Sequence, residues 1–244
     1  MIDPRVNVID KRLVNVKRII AVSSGKGGVG KSLVATTLAL TLKNEGYKVG
    51  LFDLDFTSPS THIILNAQVT VLQEDKGILP PLVKEIKYMS LVYFVGENPA
   101  PLRGADVSNA LIELLAVTQW GNLDFLIIDM PPGIGDIILD VLRLINRTEF
   151  LIVTTSSLLA FETVKKQVAL LCELKARIIG IVENMKQTAN NPKNSIEICS
   201  RKLGLRFLGE VLFDPTVETA IGDEAKLLIT SVGQTLKHIV EKNL

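Results

Sequence analysis

Short, nearly continuous apolar segments alternate along this chain with longer segments whose apolar residues recur at helical spacing. The short apolar segments have the length of strands and lie at residues 18–22, 48–52, 91–95, 125–128, 150–153 and 178–182. Strands of this kind are buried on both faces, which is typical of a parallel sheet. The segments between and after them predict helices at residues 31–44, 105–118, 137–145, 158–174, 196–203 and 229–242.

The alternation of strands and helices predicts an α/β fold with a doubly wound, mostly parallel sheet, in which the ligand lies at the carboxyl ends of the strands. The chain has 244 residues, of which 47% are hydrophobic, and one core can be built from them. We therefore expect a single domain over residues 1–244, with a short N-terminal extension at residues 1–18. Residues 57–88 are expected to form an irregular insert near the site, with loops and a small hairpin over it.

The segment at residues 25–32 has the sequence GKGGVGKS, which fits the Walker A template between a strand and a helix. An ordinary glycine-rich turn would not require this order of elements. Glycines let consecutive N–H groups face phosphate oxygens, and the next helix points its N-terminus at the same anion. Lys31 is expected to reach the β- and γ-phosphates, and the Ser32 hydroxyl to bind Mg²⁺. The predicted nucleotide-binding residues here are Gly25, Lys26, Gly27, Gly28, Val29, Gly30, Lys31, Ser32 and Leu33.

Acidic residues follow two of the predicted strands. Asp53 and Asp55 follow one strand, and residues i and i+2 of an extended chain point to the same side. Asp129 ends another strand and precedes a proline–glycine loop, as a Walker B carboxylate does. We expect Asp129 to bind Mg²⁺ through water, with Ser32 as a further ligand and Asp53 supporting the metal site, and Asp55 to orient or deprotonate the attacking water. Each acid alone also fits a helix N-cap or a solvated turn, and for Asp136 the N-cap is an equally good interpretation.

Together these motifs resemble the Mrp family, which belongs to the deviant-Walker P-loop ATPases that include MinD, ParA and the nitrogenase iron protein. The resemblance runs in order from about residue 19 to residue 215. The matching segments are SSGKGGVGKS at 23–32, DLD at 53–55, SPS at 58–60, RG at 103–104, Trp120, LD at 123–124, DMPPGIGD at 129–136 and VENM at 182–185.

This resemblance implies a slowly hydrolysing, Mg²⁺-dependent ATPase that acts as a switch. Lys26 would be the signature lysine that crosses a two-fold interface to the nucleotide of the other protomer, which implies a homodimer with ATP at its interface. That role accounts for the presence of Lys26 so near Lys31, because two neighbouring positive charges would otherwise only repel each other. Lys26 joins Lys31 and Asp55 as a predicted catalytic residue. The resemblance also implies that Asn184 hydrogen-bonds the adenine edge and that Pro215 lies beside the base.

The sequence departs from the family at the cluster site. Many Mrp-like proteins are similar to iron–sulfur cluster carriers, which hold the cluster between protomers with a Cys-x-x-Cys pair shortly after the VENM segment. A bridging [4Fe–4S] cluster needs four thiolates, and residues 186–192 contain no cysteine. Cys172 lies among leucines and is interpreted as a core residue, which leaves Cys199 as the cysteine in a plausible position. The usual cluster site is missing, and a role in cluster assembly follows from the resemblance alone.

Charge and cysteine content indicate the compartment and the kind of partner to expect for this protein. The 27 Lys and Arg residues nearly balance 26 Asp and Glu residues, so no overall positive field favours nucleic acid. Two cysteines make no disulfide framework and fit a reducing compartment. The first residues lack the apolar core of a secretion signal, and no apolar stretch reaches the roughly 18 residues of a membrane span. We therefore expect a cytoplasmic protein.

Two alternative functions come from the related ATPases. A MinD-like membrane switch would use a terminal amphipathic helix, but the apolar stripe near the C-terminus is explained more simply by packing on the sheet. A ParA-like DNA-binding ATPase would use a basic surface, but scattered solvated lysines explain the candidates more simply. The stripe consists of Ile229, Val232, Leu236, Ile239 and Val240, and the basic candidates are Lys165, Lys166, Lys175, Arg177, Arg201, Lys202 and Arg206. We expect client or regulator proteins as partners, rather than nucleic acid or a membrane.

Overall fold

The computed structural model describes residues 3–96, 104–187 and 195–244. The strands are β1 (Val16–Ser23), β2 (Val49–Asp53), β3 (Gln73–Glu74), β4 (Ile78–Leu79), β5 (Leu82–Val83), β6 (Ile86–Ser90), β7 (Leu123–Asp129), β8 (Glu149–Thr154), β9 (Arg177–Lys186) and β10 (Phe207–Leu212). The helices are α1 (Arg5–Leu13), α2 (Lys31–Asn44), α3 (Thr61–Leu65), α4 (Val92–Val95), α5 (Ala105–Val117), α6 (Asp136–Leu144), α7 (Leu158–Glu173), α8 (Ile196–Lys202), α9 (Thr216–Ala220), α10 (Glu224–Ile229) and α11 (Ser231–Asn243).

Eight of the strands form one sheet in the order β10-β9-β8-β1-β7-β2-β6-β5. Neighbouring strands pair in parallel except at one edge, where β5 runs antiparallel to β6. The predicted α/β fold with a mostly parallel sheet is therefore confirmed. Since β2 lies on one side of β1 and β8 on the other, the strand order reverses at β1. Open α/β sheets form their ligand crevice at such a reversal, outside the carboxyl ends of the strands.

Helices cover both faces of the sheet, because successive residues of each strand point to opposite sides. In β1, Ile19 and Ala21 belong to one buried cluster, and Ile20 and Val22 belong to the other. Helices α1, α5, α6, α7 and α8 contribute to the first cluster, whereas α2, α3, α10 and α11 contribute to the second. This burial on two faces explains why the strands are apolar at successive positions.

The prediction of a strand at residues 91–95 is wrong, because residues 92–95 form helix α4. The strand of this region is β6, which ends at Ser90. Ser90 pairs with Asp53, the last residue of β2, so a longer β6 would have no partner on that side of the ladder. The backbone beyond Ser90 forms helical hydrogen bonds instead, such as Val95 N–H to Leu91 O at 3.2 Å.

Helix α1 and strand β10 are among the elements that were not predicted from the sequence pattern. Residues 5–13, which were assigned to a short extension, form helix α1, and its side chains Ile9 and Leu13 are buried in the core. Strand β10 forms the edge of the sheet beside β9, and its apolar residues are broken by Gly209 and Glu210. A strand at the edge of the sheet is less buried than a central one and has a weaker apolar pattern, which explains why it was missed.

The helix predicted at residues 229–242 is divided in two by Thr230, whose hydroxyl donates to Leu227 O at 2.6 Å. In α11 the stripe residues Val232, Leu236 and Ile239 are buried in the second cluster. Ile229, at the end of α10, is 73% exposed and does not continue the buried stripe. Among the described residues, no helix has both the length and the apolarity needed to cross a bilayer.

The insert at residues 57–88 contains the predicted small hairpin, formed by β3 and β4. The predicted position of this hairpin over the site is wrong. Ile78 in β4 forms a bridge with Thr118, and its carbonyl accepts a hydrogen bond from Gln119 N–H at 2.8 Å, shortly before β7 begins. The hairpin therefore lies near the amino ends of the parallel strands, whereas Thr57 and Ser58 reach the site at their carboxyl ends.

Candidate functional site

The glycine loop between β1 and α2 is closely packed at two of its glycines. Gly30 has a φ of 78°, a left-handed value that favours glycine, and a Cβ atom here would overlap the Asn184 side-chain amide. A Cβ atom on Gly25 would lie 2.7 Å from the carbonyl carbon of Thr163 in α7, which is too close for any side chain. The loop is thus held between β9 and α7, and both glycines are required by their surroundings.

A cavity of about 480 Å³ lies over this loop. Backbone N–H groups, the N-terminus of α2 and two lysines border it, a combination of donors suited to a polyphosphate. Of the predicted loop residues, Gly25 packs against α7 and does not line this cavity, and Leu33 borders a second cavity. The residues that line the first cavity are Ser24, Lys26, Gly27, Gly28, Val29, Gly30, Lys31, Ser32, Asp55, Thr57, Ser58, Pro131 and Pro132.

A buried ion pair lies beneath the loop. Lys31 Nζ is 2.6 Å from Asp129 Oδ1, and the two side chains are 6% and 0% exposed. The same ammonium donates to the Ser32 hydroxyl oxygen at 3.2 Å. Burial raises the pKa of Asp129, and the positive charge and hydrogen bond of Lys31 oppose that rise. The pair places a buried positive charge beside the phosphate-binding backbone.

Asp129 and Ser32 are the residues of the site that fit a magnesium ion. Mg²⁺ takes oxygen ligands and is usually held by one or two protein oxygens together with water and substrate phosphates. Asp129 Oδ2 is buried and has no hydrogen-bond partner among the described residues, so it can accept from a metal-bound water. In the described part of the chain, no group of three or more His, Cys, Asp or Glu side chains could hold a metal.

Asp53 is 1% exposed and has its carboxylate oxygens occupied by protein donors. Oδ1 accepts from the Asp55 N–H at 3.0 Å, and Oδ2 accepts from the Thr61 hydroxyl at 2.5 Å. Burial and the nearby charge of Asp129 raise the pKa of Asp53. Asp53 therefore lies behind the predicted metal site, where it organises the backbone that carries Asp55.

Asp55 borders the cavity and is 9% exposed. Its Oδ1 accepts a hydrogen bond from Ser58 N–H at 3.1 Å. The preceding residue is tied to the next strand, since Leu54 N–H donates to Asp129 O at 2.9 Å. A carboxylate held in this way faces the same cavity as Lys31 and the loop N–H groups, where it can accept a proton from water.

A second cavity of about 300 Å³ brings together Leu33, Asn184 and Pro215. Asn184 Nδ2 donates to Val29 O at 2.9 Å, so this side chain connects β9 directly to the glycine loop. The other residues around the cavity, which the sequence did not single out, include Met185, Val211, Leu212, Phe213 and Ile221. An apolar cavity with one amide at its border has the chemistry of a base-binding pocket. Met185 could have been anticipated from the VENM segment, whereas Phe213 stands in no motif.

Lys26 is exposed at the border of the first cavity. Its ammonium makes no hydrogen bond or ion pair with the described residues, unlike Lys31. The position leaves Lys26 accessible to a second molecule. By contrast, several basic residues considered for a DNA-binding surface are ion-paired within the chain: Lys165 with Glu162 at 2.5 Å, Arg177 with Glu149 at 3.2 Å and Arg201 with Glu197 at 2.6 Å.

The predicted burial is wrong for one of the two cysteines. Cys172 was interpreted as a core residue, and this is wrong, because it is exposed on α7. The adjacent Leu171 is fully buried, and the rotation of about 100° per helical residue turns Cys172 away from the core. Cys199 is partly buried on α8. Residues 188–194, which include most of the segment where the family carries its cysteine pair, lie outside the described residues.

Comparison with known proteins agrees with this arrangement. A family model described as "ParA: NUBPL iron-transfer P-loop NTPase" matches residues 15–243. An iron-sulfur cluster carrier protein from Aquifex aeolicus is 36% identical over 220 residues, which are 85% of this chain and 60% of that protein. The chain thus spans about 60% of the length of this relative.

Solved structures show the same fold. A nucleotide-binding protein from Archaeoglobus fulgidus, solved in complex with ADP, is 29% identical with a TM-score of 0.74, over 98% of this chain and 94% of that chain. The septum site-determining protein MinD from Pyrococcus horikoshii, solved with Mg-ADP, has a TM-score of 0.70 over 93% of this chain and 96% of its own. At 18% identity the MinD likeness shows the fold alone.

The family match extends from the strand before the glycine loop to the last helix, so it includes every element of the site. It confirms the resemblance to the Mrp-type deviant-Walker ATPases that the motifs indicated. The chain therefore belongs to the NUBPL iron-transfer family of ParA-type P-loop NTPases.

Proposed function

We propose that this chain is a Mg²⁺-dependent ATPase that binds and slowly hydrolyses ATP as a homodimeric switch in iron–sulfur cluster assembly. The observation that carries the proposal is the buried Lys31–Asp129 pair beneath the glycine loop, with Asp55 on the same cavity. The family and the name of the Aquifex aeolicus relative support the assembly role. A cytoplasmic setting and client or regulator proteins as partners belong to the same proposal.

In the proposed mechanism, Lys31 exchanges Asp129 for the β- and γ-phosphates. The loop N–H groups bind the same phosphate oxygens and keep them at the N-terminus of α2. Ser32 and Asp129 are the residues that would hold a magnesium ion. When bound, the ion supplies positive charge against the phosphates. Lys31 and the loop therefore position the reacting group, which is most of what phosphoryl transfer requires of a protein.

Asp55 orients the attacking water and accepts its proton. Its Oδ1 already accepts from Ser58 N–H, so Oδ2 remains for the water. Asn184 uses its amide nitrogen on Val29 O, and its Oδ1 is then left to accept from the adenine amino group. Guanine presents an oxygen at that position, so the same amide oxygen would repel it. These assignments favour ATP over GTP.

Nucleotide binding and turnover in two variants test the proposal. Lys31→Ala should lose ATP affinity, because the phosphates lose their buried cation. Asp55→Asn should keep ATP affinity and lose turnover by about 100-fold or more, since general-base catalysis supplies about that factor. Lys11→Ala, an exposed lysine on α1, is the matched control and should behave as the parent. Parent-like turnover in Asp55→Asn would remove Asp55 as the base, and ATP binding by neither parent nor variants would contradict the proposal.

A further inference from the structure

A continuous chain of hydrogen bonds runs from the site into the sheet. Asp53 Oδ2 accepts from the Thr61 hydroxyl at 2.5 Å, and the Thr61 oxygen lies 2.8 Å from the Tyr88 hydroxyl. The three side chains are 1%, 0% and 0% exposed. They come from three elements, the end of β2, the start of α3 and the middle of β6.

The direction of this chain of bonds follows from the charge of Asp53. When Asp53 is ionised its carboxylate can only accept, so the Thr61 hydroxyl donates to Asp53, and the Thr61 oxygen is left to accept from the Tyr88 hydroxyl. Burial raises the pKa of Tyr88, so the phenol keeps the proton that it donates. Each bond therefore polarises the next towards Asp53.

The chain of bonds encloses the segment that carries Asp55. Asp53 accepts from Asp55 N–H through one oxygen and from Thr61 through the other, so one carboxylate holds both ends of residues 55–61. Within this segment, Asp55 Oδ1 is fixed by Ser58 N–H. Moving Thr61 would release one end of the segment, and Asp55 would lose its fixed distance from the cavity.

We propose that Thr61 and Tyr88 are positioning residues for hydrolysis, which act through Asp53 to hold the Asp55 carboxylate in place. The proposal rests on the proposed ATPase function for its effect on turnover, but the clamp itself is a property of the protein without nucleotide. Neither residue borders the phosphate cavity, so their hydroxyls should affect turnover much more than nucleotide affinity.

Four variants test the proposal. Thr61→Val and Tyr88→Phe each remove one hydroxyl of the chain of bonds, and Thr61→Ser keeps it. Tyr93→Phe is the control for Tyr88→Phe. Its ring lies next to that of Tyr88, and its buried hydroxyl has no hydrogen-bond partner among the described residues. We expect kcat for ATP to fall by about 10- to 100-fold in Thr61→Val and Tyr88→Phe, the effect of a displaced catalytic group. Affinity for a non-hydrolysable ATP analogue should change by about 2-fold or less, since only transition-state positioning is lost. Thr61→Ser and Tyr93→Phe should match the parent.

Hydrogen exchange without nucleotide separates the clamp from the ATPase proposal. Amides of residues 54–58 and 60 should exchange faster in Thr61→Val and Tyr88→Phe than in the parent, while Thr61→Ser and Tyr93→Phe stay protected. Equal exchange in all five proteins, or equal losses of kcat in Thr61→Ser and Thr61→Val, would overturn the proposal. A parent that hydrolyses no ATP but shows the expected exchange pattern would contradict the ATPase function and leave the clamp standing.

Discussion

At the scale of single residues, the site contains two buried carboxyl groups side by side. Asp53 and Asp129 pair across the β2–β7 ladder, and both are almost fully buried. Asp129 has the ammonium of Lys31 as its partner, whereas Asp53 receives hydrogen bonds from neutral donors. Burial, and after it the charge of Asp129, therefore raise the pKa of Asp53 to about 7.

Asp53→Asn should remove a pH dependence, so the stability of the nucleotide-free variant relative to the parent should be higher at pH 8 than at pH 5. An aspartate has a pKa of about 3.9 in the unfolded chain, so the folded chain binds this proton more tightly, and stability falls as pH rises from about 4 to about 7. The variant escapes that loss, which is on the order of a few kcal/mol. Urea unfolding with EDTA at both pH values measures it, with the exposed Asp10→Asn as control. An equal difference between variant and parent at both pH values would contradict the expected linkage.

The residues that line the phosphate cavity were predicted from the sequence better than the buried residues behind them. Walker A residues and the acids Asp55 and Asp129 follow from local motifs, and the structure brings them to one cavity. Thr61 and Tyr88 carry no local signal, because their contact depends on where β6 lies beside β2. Side-chain pairs of this kind are set by strand register, which a single sequence does not reveal.

At the scale of elements, helix α11 packs against α2 and β10 and covers part of one face of the sheet. Its apolar residues recur at helical spacing, and Val232, Leu236 and Ile239 are fully buried. This packing uses most of the stripe that a membrane-binding helix would require.

Leu236→Ala should lower the free energy of unfolding by about 2–5 kcal/mol, the cost of a buried leucine and the cavity left behind. Ile229→Ala, at a side chain that is 73% exposed, is the matched control. It should change stability by about 0.5 kcal/mol or less, as surface substitutions do. Chemical denaturation measures both. A Leu236→Ala variant that keeps its stability and loses binding to anionic vesicles would instead support the membrane alternative.

Local signals also explain which elements were predicted correctly. The helix expected at residues 31–44 agrees with α2, because the glycine loop marks its start and Gly46 follows its end. The apolar run at residues 91–95 has no such signal, and an apolar run alone does not distinguish a strand from a buried helix. The end of strand β6 is instead set by the pairing of Ser90 with Asp53, which is a contact between distant segments. Cys172 was misplaced because leucines on several sides obscured the phase of α7.

At the scale of the whole molecule, the position of Lys26 bears on assembly. Since Lys26 is exposed beside the cavity without an intramolecular partner in the described part of the chain, a partner's nucleotide is a suitable binding target for it. With Asp55→Asn present to slow turnover, ATP should convert the protein from monomer to dimer. Lys26→Ala should remain monomeric with ATP, and Lys11→Ala should dimerise. Light scattering after size-exclusion chromatography measures this, and an ATP-dependent dimer of Lys26→Ala would contradict the role of Lys26.

The positions of the cysteines lead to a prediction about cargo. Cys199 is partly buried on α8 and Cys172 is exposed on α7, and a bridging [4Fe–4S] cluster needs four suitably placed thiolates. After anaerobic reconstitution, the chain alone should retain less than one cluster per dimer, and Cys199→Ser and Cys172→Ser should retain similar amounts. Iron and acid-labile sulfide analysis measures this. A full cluster in the parent that disappears in Cys199→Ser would show a cluster site built around Cys199.

The Lys31–Asp129 pair also has a consequence for which ligands the protein selects. An anion that draws Lys31 away without bringing a cation leaves Asp129 charged and buried, and removing one partner of a buried pair costs about 3–5 kcal/mol. Metal-free ATP, inorganic phosphate and other polyanions all incur this penalty, whereas a magnesium nucleotide replaces the charge that it displaces. If the proposed function is right, we therefore expect the loop to bind nucleotide and metal together and to discriminate against free anions.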